Sequence, residues 1–329
     1  MVSSLHQNTQ NPTLENRLTF VLTLALSDTG RDDQDLERFR LLLDTFDRFF
    51  DKRFLEQFII VTPRHDEASI RKALGTRIDT ANISILDEND VCPEFYRDPV
   101  TTSTWPNPNK GWYKQQLIKL AIGKHVRTNF YMTLDSDVLF VTDFDTHSLI
   151  RNGKATLNVQ TEEDFRNLYR EDVVSKTVKI RQSRYKQVEP ILRCGRKNGY
   201  LNQWYGETPV LLNRQLVKLL TSHIQQTWEK PWRDALLDNL PWTEYALYFL
   251  FAEDQGVLED YYVPGNADSV LRLTESLWQS AAEYKIPRDL SNWDLDNIFN
   301  SNGNGVAVVV QSYLGYPVAD IAKKIKPYI

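Results

Sequence analysis

The chain predicts an α/β fold built on a mixed, mostly parallel sheet flanked by helices, with a helical C-terminal half. Three observations carry that expectation. Short apolar runs at residues 18–26 (LTFVLTLAL), 58–61 (FIIV) and 83–86 (ISIL) show little in-and-out alternation, as strands covered on both faces do. Between them, apolar residues recur at three- and four-residue spacing, the mark of crossover helices. A further apolar run at residues 129–140 (NFYMTLDSDVLF) carries two carboxylates one residue apart, Asp135 and Asp137.

The elements follow in order. Residues 1–16 are polar and read as a flexible N-terminal arm; residues 17–329 read as one domain. The run at 18–26 is the first strand. It follows Arg17, and Ala25 and Ser27 mimic a signal-cleavage pattern, but Glu15 and the single preceding Arg argue for a core strand instead. A turn at residues 27–30 leads to a helix with Leu36, Phe39, Leu43, Phe46 and Phe50 on one face. The second strand stops at Thr62-Pro63, a short helix at 68–74 ends before Gly75, and the third strand runs into acidic residues 87–90. Residues 93–110 hold four prolines and read as a loop. The next helix places Tyr113, Leu117, Leu120 and Ala121 on one stripe, and the acidic strand follows directly.

The first half therefore reads β-α-β-α-β-loop-α-β. In such sheets ligands gather at the carboxyl ends of the strands, where Asp135 and Asp137 fall. In an extended segment residues i and i+2 share a face, so the two carboxylates converge. Like charges that close call for a compensating cation or a shared proton, and hard oxygen ligands suit Mg²⁺ or Mn²⁺, which also bind phosphates. The nearby Asp143 and Asp145 repeat the spacing in polar surroundings and read as a turn with helix-capping groups. In the second half, residues 151–200 are polar and rich in Arg and Lys. Helices are expected near 213–228, 243–252, 268–284 and 318–326, with strands at 208–212 and 306–310.

Composition narrows the function classes. The 329 residues are 41% hydrophobic and 12% aromatic, enough for a packed core. A net charge of −5, a pI near 5.7 and no basic stripe argue against a nucleic-acid partner. Two cysteines, Cys92 and Cys194, make neither a disulfide framework nor a zinc site, which fits a cytoplasmic protein. No apolar run approaches 20 residues, so no spanning helix is expected.

The order of the first strand and its loop, Thr62-Pro63-Arg64, the helix GWYKQQLIKLA and then LDSDVLF resembles the GT-A glycosyltransferases. Within them it resembles a bacterial family of glycosyltransferase-like proteins linked to surface-polysaccharide synthesis. The likeness covers residues 18–145 and weakens beyond them. It implies a nucleotide-sugar donor, held by residues 17–145, and a glycan or lipid-linked acceptor, held by residues 146–329. By that likeness Asp137 would coordinate the metal bridging the donor diphosphate. Asp135, with Ser136 beside it, would contact the donor or a metal-bound water. Ser27, Asp28 and Arg31, and then Thr62 and Arg64, occupy loops where such proteins hold the nucleotide. Lys114 would neutralise diphosphate, and Gln115 or Gln116 would hydrogen-bond a sugar hydroxyl, against the plain reading of an exposed first helical turn. Trp112 would stack on a sugar or base or join the core; Tyr113 belongs to the core stripe.

Gly206, in YGETP, permits close backbone approach to a ligand. Glu244, in WTEYALY, faces the acceptor in the resembled family and is a candidate general base, with Glu207 competing; a retaining transfer would need neither. Thr243 and Glu244 also read as a helix cap. Where many GT-A enzymes supply a third metal ligand, often His, this chain has Gln311 and Ser312. Two rival readings stand beside this one. A phosphohydrolase of the haloacid dehalogenase type also uses D-x-D after an apolar strand, but normally in the first strand and with Thr or Val where this chain has Leu139. A non-catalytic binding protein with a degenerate site is the other. Finally, IAKKIKPYI sets Ile321 and Ile325 beside three lysines, a pattern suited to peripheral contact with an anionic membrane or to a solvated terminal helix.

Overall fold

A computed structural model describes residues 12–26, 32–80, 82–93, 110–300, 303 and 305–329. Most of the N-terminal arm and the greater part of the proline-rich loop lie outside the described residues. The apolar runs form strands. β1 (Leu18–Thr23) and β4 (Phe130–Leu134) are buried at every position, and β2 (Leu55–Thr62) is nearly so; β3 (Ile83–Asp87) is half-covered. The four lie parallel in the order β4–β1–β2–β3, with Val21 opposite Ile59 on one side and Thr133 on the other. Burial of both faces is why the pattern is a run of apolar residues rather than an alternation. Helices α1 (Asp32–Phe49), α2 (Glu67–Leu74) and α3 (Lys110–Ala121) make the crossovers. α1 presses Phe46 edge-on against Phe20 of β1, centroids 4.9 Å apart.

β4 ends at Leu134 and β5 (Val138–Phe140) starts at Val138, whose N–H donates to the Asp135 carbonyl at 3.3 Å. Asp135, Ser136 and Asp137 thus form a turn between strands. The carboxylates are brought together by that turn and not by the extended-strand alternation read from the sequence.

The second half closes around this end. β6 (Val159–Thr161) pairs with β7 (Gln203–Tyr205), and β8 (Val210–Asn213) joins the main sheet antiparallel to β4. β9 (Ala307–Val309) pairs antiparallel with β5, Val309 opposite Val138. The longest helix described, α4 (Glu171–Leu192), lies in the stretch that the sequence showed only as polar and basic. Its buried residues, Val173, Val174, Tyr185, Val188, Ile191 and Leu192, do carry a helical spacing. α5 (Arg214–Trp228), α6 (Glu244–Asp254) and α7 (Val318–Ile325) match expected helices. The helix expected at 268–284 does not form. That stretch runs beside β9, with Arg272 N–H donating to Ala307 O (2.8 Å) and Leu277 N–H to Val309 O (2.8 Å). Sheet-edge hydrogen bonds outcompete a weak helical pattern there.

The main hydrophobic cluster draws on both halves, from Leu18 to Val309. A second cluster gathers Leu139, Val141, Trp293 and Val308 around α7, burying Ile321 and Ile325. This takes the two isoleucines out of the membrane-contact reading: the apolar face of α7 is spent inside the protein, and Ala319, Asp320 and Lys323 are its exposed residues. Among the described residues no helix is long and apolar enough to cross a membrane.

Candidate active site

The ends of β1 and β4 open into a cleft of about 800 Å³. Asp135, Ser136 and Asp137 line it from the β4–β5 turn, Gln115 and Lys119 from α3, and Glu244 from the start of α6. α4 lines it with Lys176, Arg181 and Arg184.

Asp137 is fixed by the chain's far end. Val310 N–H donates to its carbonyl (3.1 Å) and Ser312 N–H to its Oδ2 (3.2 Å), so the residues just after β9 hold the turn. Its Oδ1 is buried without a hydrogen-bond partner. Burial, reinforced by the adjacent Asp135 charge, pushes the carboxyl up to about 7 against the pull of the Ser312 N–H and Arg38. Gln311 lines the cleft next to that contact.

Asp135 is half-buried, and its Oδ1 takes an ion pair from Lys119 Nζ at 2.9 Å. Lys119 also reaches Glu244 Oε1 at 3.2 Å. Burial opposes the charge on Lys119, but Asp135, Tyr245 and Glu244 hold its amine well above the ordinary range. Burial likewise raises Glu244, with Lys119 countering. Thr243 Oγ accepts from Ala246 N–H (3.3 Å), capping α6 and presenting Glu244 in its first turn.

The other sequence candidates fall in different places. Gln116 is buried, its Oε1 accepting from Glu244 N–H at 3.0 Å; it positions α6 and does not line the cleft. Lys114 pairs with buried Glu88 beside a second pocket of about 290 Å³. That pocket shares Thr23, Leu24, Ala25, Trp112 and Gln115 with the large cleft. Thr62 is buried at the end of β2, and exposed Arg64 donates to Asp87 at 2.6 Å; neither lines the cleft. Ser27, Asp28 and Arg31 lie outside the described residues. Trp112 is part-exposed on both pockets, while Tyr113 is buried against Trp242 at 5.6 Å between centroids. Glu207 lines the cleft, engaged by Arg181 at 2.6 Å and by Arg184. Gly206 faces no ligand space: an added Cβ would meet Asn158 Cβ at 2.8 Å. Its close approach is to the protein itself.

Lys119, Arg181 and Arg184 were not singled out from the sequence. Lys119 did leave a signal, as a lone charge inside QQLIKLAIG and four residues from Gln115. The arginines gave none without knowing which face of α4 turns to the cleft.

A family model described as "Family of unknown function (DUF6492)" matches residues 15–329. The chain belongs to that family. No curated protein sequence matches this DUF6492 chain. Among solved structures, mouse xyloside xylosyltransferase 1 in its apo form aligns at TM-score 0.47 and 13% identity, covering 92% of this chain and 99% of its own. The galactosyltransferase LgtC, solved with donor and acceptor sugar analogues, aligns at TM-score 0.47 and 12% identity, covering 94% of each chain. Glucosyl-3-phosphoglycerate synthase from Mycobacterium tuberculosis, solved with Mn²⁺, UDP and glucosyl-3-phosphoglycerate, aligns at TM-score 0.38 and 12% identity, covering 77% of this chain and 72% of its own.

The donor set of the DUF6492 cleft suits a hard divalent cation. Asp137 offers a buried, unpartnered oxygen with Asp135 beside it, and oxygen ligands are what Mg²⁺ and Mn²⁺ take. Among the described residues no group of three or more His, Cys, Asp or Glu side chains could hold a metal ion. A cation here would therefore rest on the two carboxylates, and phosphate oxygens would suit its remaining positions.

Proposed function

We propose that this DUF6492 chain is a glycosyltransferase moving a sugar from a nucleotide-sugar donor to an acceptor hydroxyl, with Mn²⁺ or Mg²⁺ held by Asp135 and Asp137. The observation that carries the reading is Asp137: a buried carboxylate with an unpartnered oxygen, next to a second carboxylate, at the carboxyl end of a central parallel strand and facing a large cleft. A cation there would act as a Lewis acid on the leaving diphosphate. Gln311 would contribute near the metal through its place beside the Asp137–Ser312 contact.

The chain's own residues supply binding and proton handling. The smaller pocket, between Trp112 of α3 and the end of β1, suits the nucleoside, with Lys114 at its edge. Buried Thr23 Oγ, on the wall shared by both pockets, has no hydrogen-bond partner and suits a donor hydroxyl. In an inverting transfer Glu244 takes the acceptor hydroxyl proton; the sugar–phosphate bond breaks with its electron pair on the diphosphate, and the sugar–acceptor bond forms. Glu244 suits the role better than Glu207 because burial raises its carboxyl while two guanidinium groups occupy Glu207. Lys119 holds Glu244 and Asp135 in register. The sequence resemblance points to polysaccharide or glycoconjugate synthesis as the setting.

The test is a thermal-shift screen of UDP-, GDP-, CMP- and dTDP-sugars with and without Mn²⁺, on the wild type and Asp137→Asn. Stabilisation by one nucleotide class that requires Mn²⁺ and disappears in the variant is expected. Absence of any shift, with phosphate release from simple phosphoesters instead, would sink the reading.

A further inference from the structure

Two guanidinium groups of α4 close on one carboxylate in the cleft wall: Arg181 Nη1 donates to Glu207 Oε1 at 2.6 Å, and Arg184 pairs with the same oxygen. The triad keeps a net positive charge, and Lys176, on the same wall, adds to it. Both arginine side chains are mostly covered, 14% and 30% exposed. Covering cations without full compensation is costly, and burial accordingly pulls both guanidinium groups down to about 10.

The charges alternate across the cleft. Asp135 pairs with Lys119, and Lys119 with Glu244. Arg184 lies in the field of Glu244 and pairs with Glu207, which holds Arg181. The cleft adjoins the smaller pocket through Thr23, Ala25, Trp112 and Gln115, the donor side on the glycosyltransferase reading. The cationic end is the Arg181–Arg184 pair of α4.

We propose that Arg181 and Arg184 form a subsite for an anionic acceptor, a sugar bearing a carboxylate or a phosphate. This rests on the glycosyltransferase reading and names its acceptor class. The guanidinium fork matches either anion in bidentate fashion. Glu207 is the internal stand-in that the acceptor's anion displaces.

The experiment uses the full chain. Calorimetric titrations measure UDP and GDP with Mn²⁺, and separately glucuronate, glucose 6-phosphate and neutral methyl glucoside, with and without nucleotide and Mn²⁺. Glucuronate or glucose 6-phosphate is expected to bind at least tenfold more tightly than methyl glucoside; which of the two binds better tells carboxylate from phosphate. Arg184→Gln is expected to shrink that preference to within twofold while leaving nucleotide–Mn²⁺ affinity within twofold of the wild type. Glu207→Gln, which removes the competing carboxylate, is expected to tighten anionic-sugar binding several-fold. Equal or absent binding of anionic and neutral sugars overturns the subsite. A matching loss of nucleotide affinity in Arg184→Gln also overturns it, assigning the arginines to the donor diphosphate. Should Arg184→Gln fail to fold, Glu207→Gln decides alone, and unchanged or weaker anion binding is the negative. Failure of nucleotide and Mn²⁺ to bind the wild type would count against the glycosyltransferase reading, while the sugar preference measured without them still judges the subsite.

Discussion

At the scale of single residues, Asp137 has the clearest consequence. In the folded chain burial pushes its carboxyl up to about 7, whereas an unfolded Asp titrates at about 3.9. Between those values the folded chain keeps a proton that the unfolded chain has released. Its contribution therefore favours folding below about pH 4 and is lost as pH rises through about 7, levelling off above that. Asparagine cannot ionise, so Asp137→Asn should gain stability relative to the metal-free wild type as pH climbs, by up to about 1.4 kcal/mol per pH unit. Melting curves at several pH values between roughly 5 and 8 would show it; parallel curves would contradict it. A divalent cation competes with the same proton, so wild-type Mn²⁺ affinity should rise about tenfold per pH unit up to about pH 7 and then flatten. Lys119 is the second case. Replacing it with Met leaves Asp135 and Glu244 facing each other without their shared cation, a loss of about 3–5 kcal/mol in urea unfolding. Glu244→Gln, by contrast, should keep nucleotide and Mn²⁺ binding but lower kcat about 100-fold or more.

At the scale of elements, the site depends on pieces that are not themselves catalytic. Asn158, just before β6, receives Val270 N–H at 2.6 Å and donates to Ala267 O (2.7 Å) and Leu271 O (2.8 Å). It thereby ties the segment running beside β9 to the β6–β7 pair. Gly206 sits against it, its N–H donating to Asn158 O at 3.1 Å. Gly206→Ala should push Asn158 out of these bonds and cost about 1–3 kcal/mol, read as a lower urea midpoint. A ligand-approach role would predict weaker substrate binding at unchanged stability, so the two readings separate cleanly. The same segment explains the missing helix at 268–284: its backbone hydrogen bonds go to β9.

At the scale of the whole molecule, the parallel sheet was legible because both-face burial leaves unbroken apolar runs, and Asp135 and Asp137 because a paired charge interrupts one of them. The crossover helices were legible from stripes such as Phe39, Leu43 and Phe46. Arg181 and Arg184 were not, because a charged residue on a polar helix looks the same whether it faces water or a cleft; Lys119 stood out only as a lone charge in an apolar stretch. Gln116 looked like a ligand contact and proved to be a brace for α6. The isoleucines of α7 looked free for a membrane, yet the second cluster claims them. In each instance local pattern gave the kind of side chain and was silent about its direction, which only long-range packing decides.

The Ser312–Asp137 contact spans 175 positions of sequence. Seen in time rather than space, it means that a growing chain completes β4 and its acidic turn long before the residues that steady the turn exist. The main parallel strands can assemble early from neighbouring segments, but the turn stays unbraced until β9 and the residues after it have been made. Cation binding should accordingly appear among the last steps of refolding: a Mn²⁺-dependent signal would lag the recovery of secondary structure in stopped-flow, and simultaneous recovery would show that the turn organises itself.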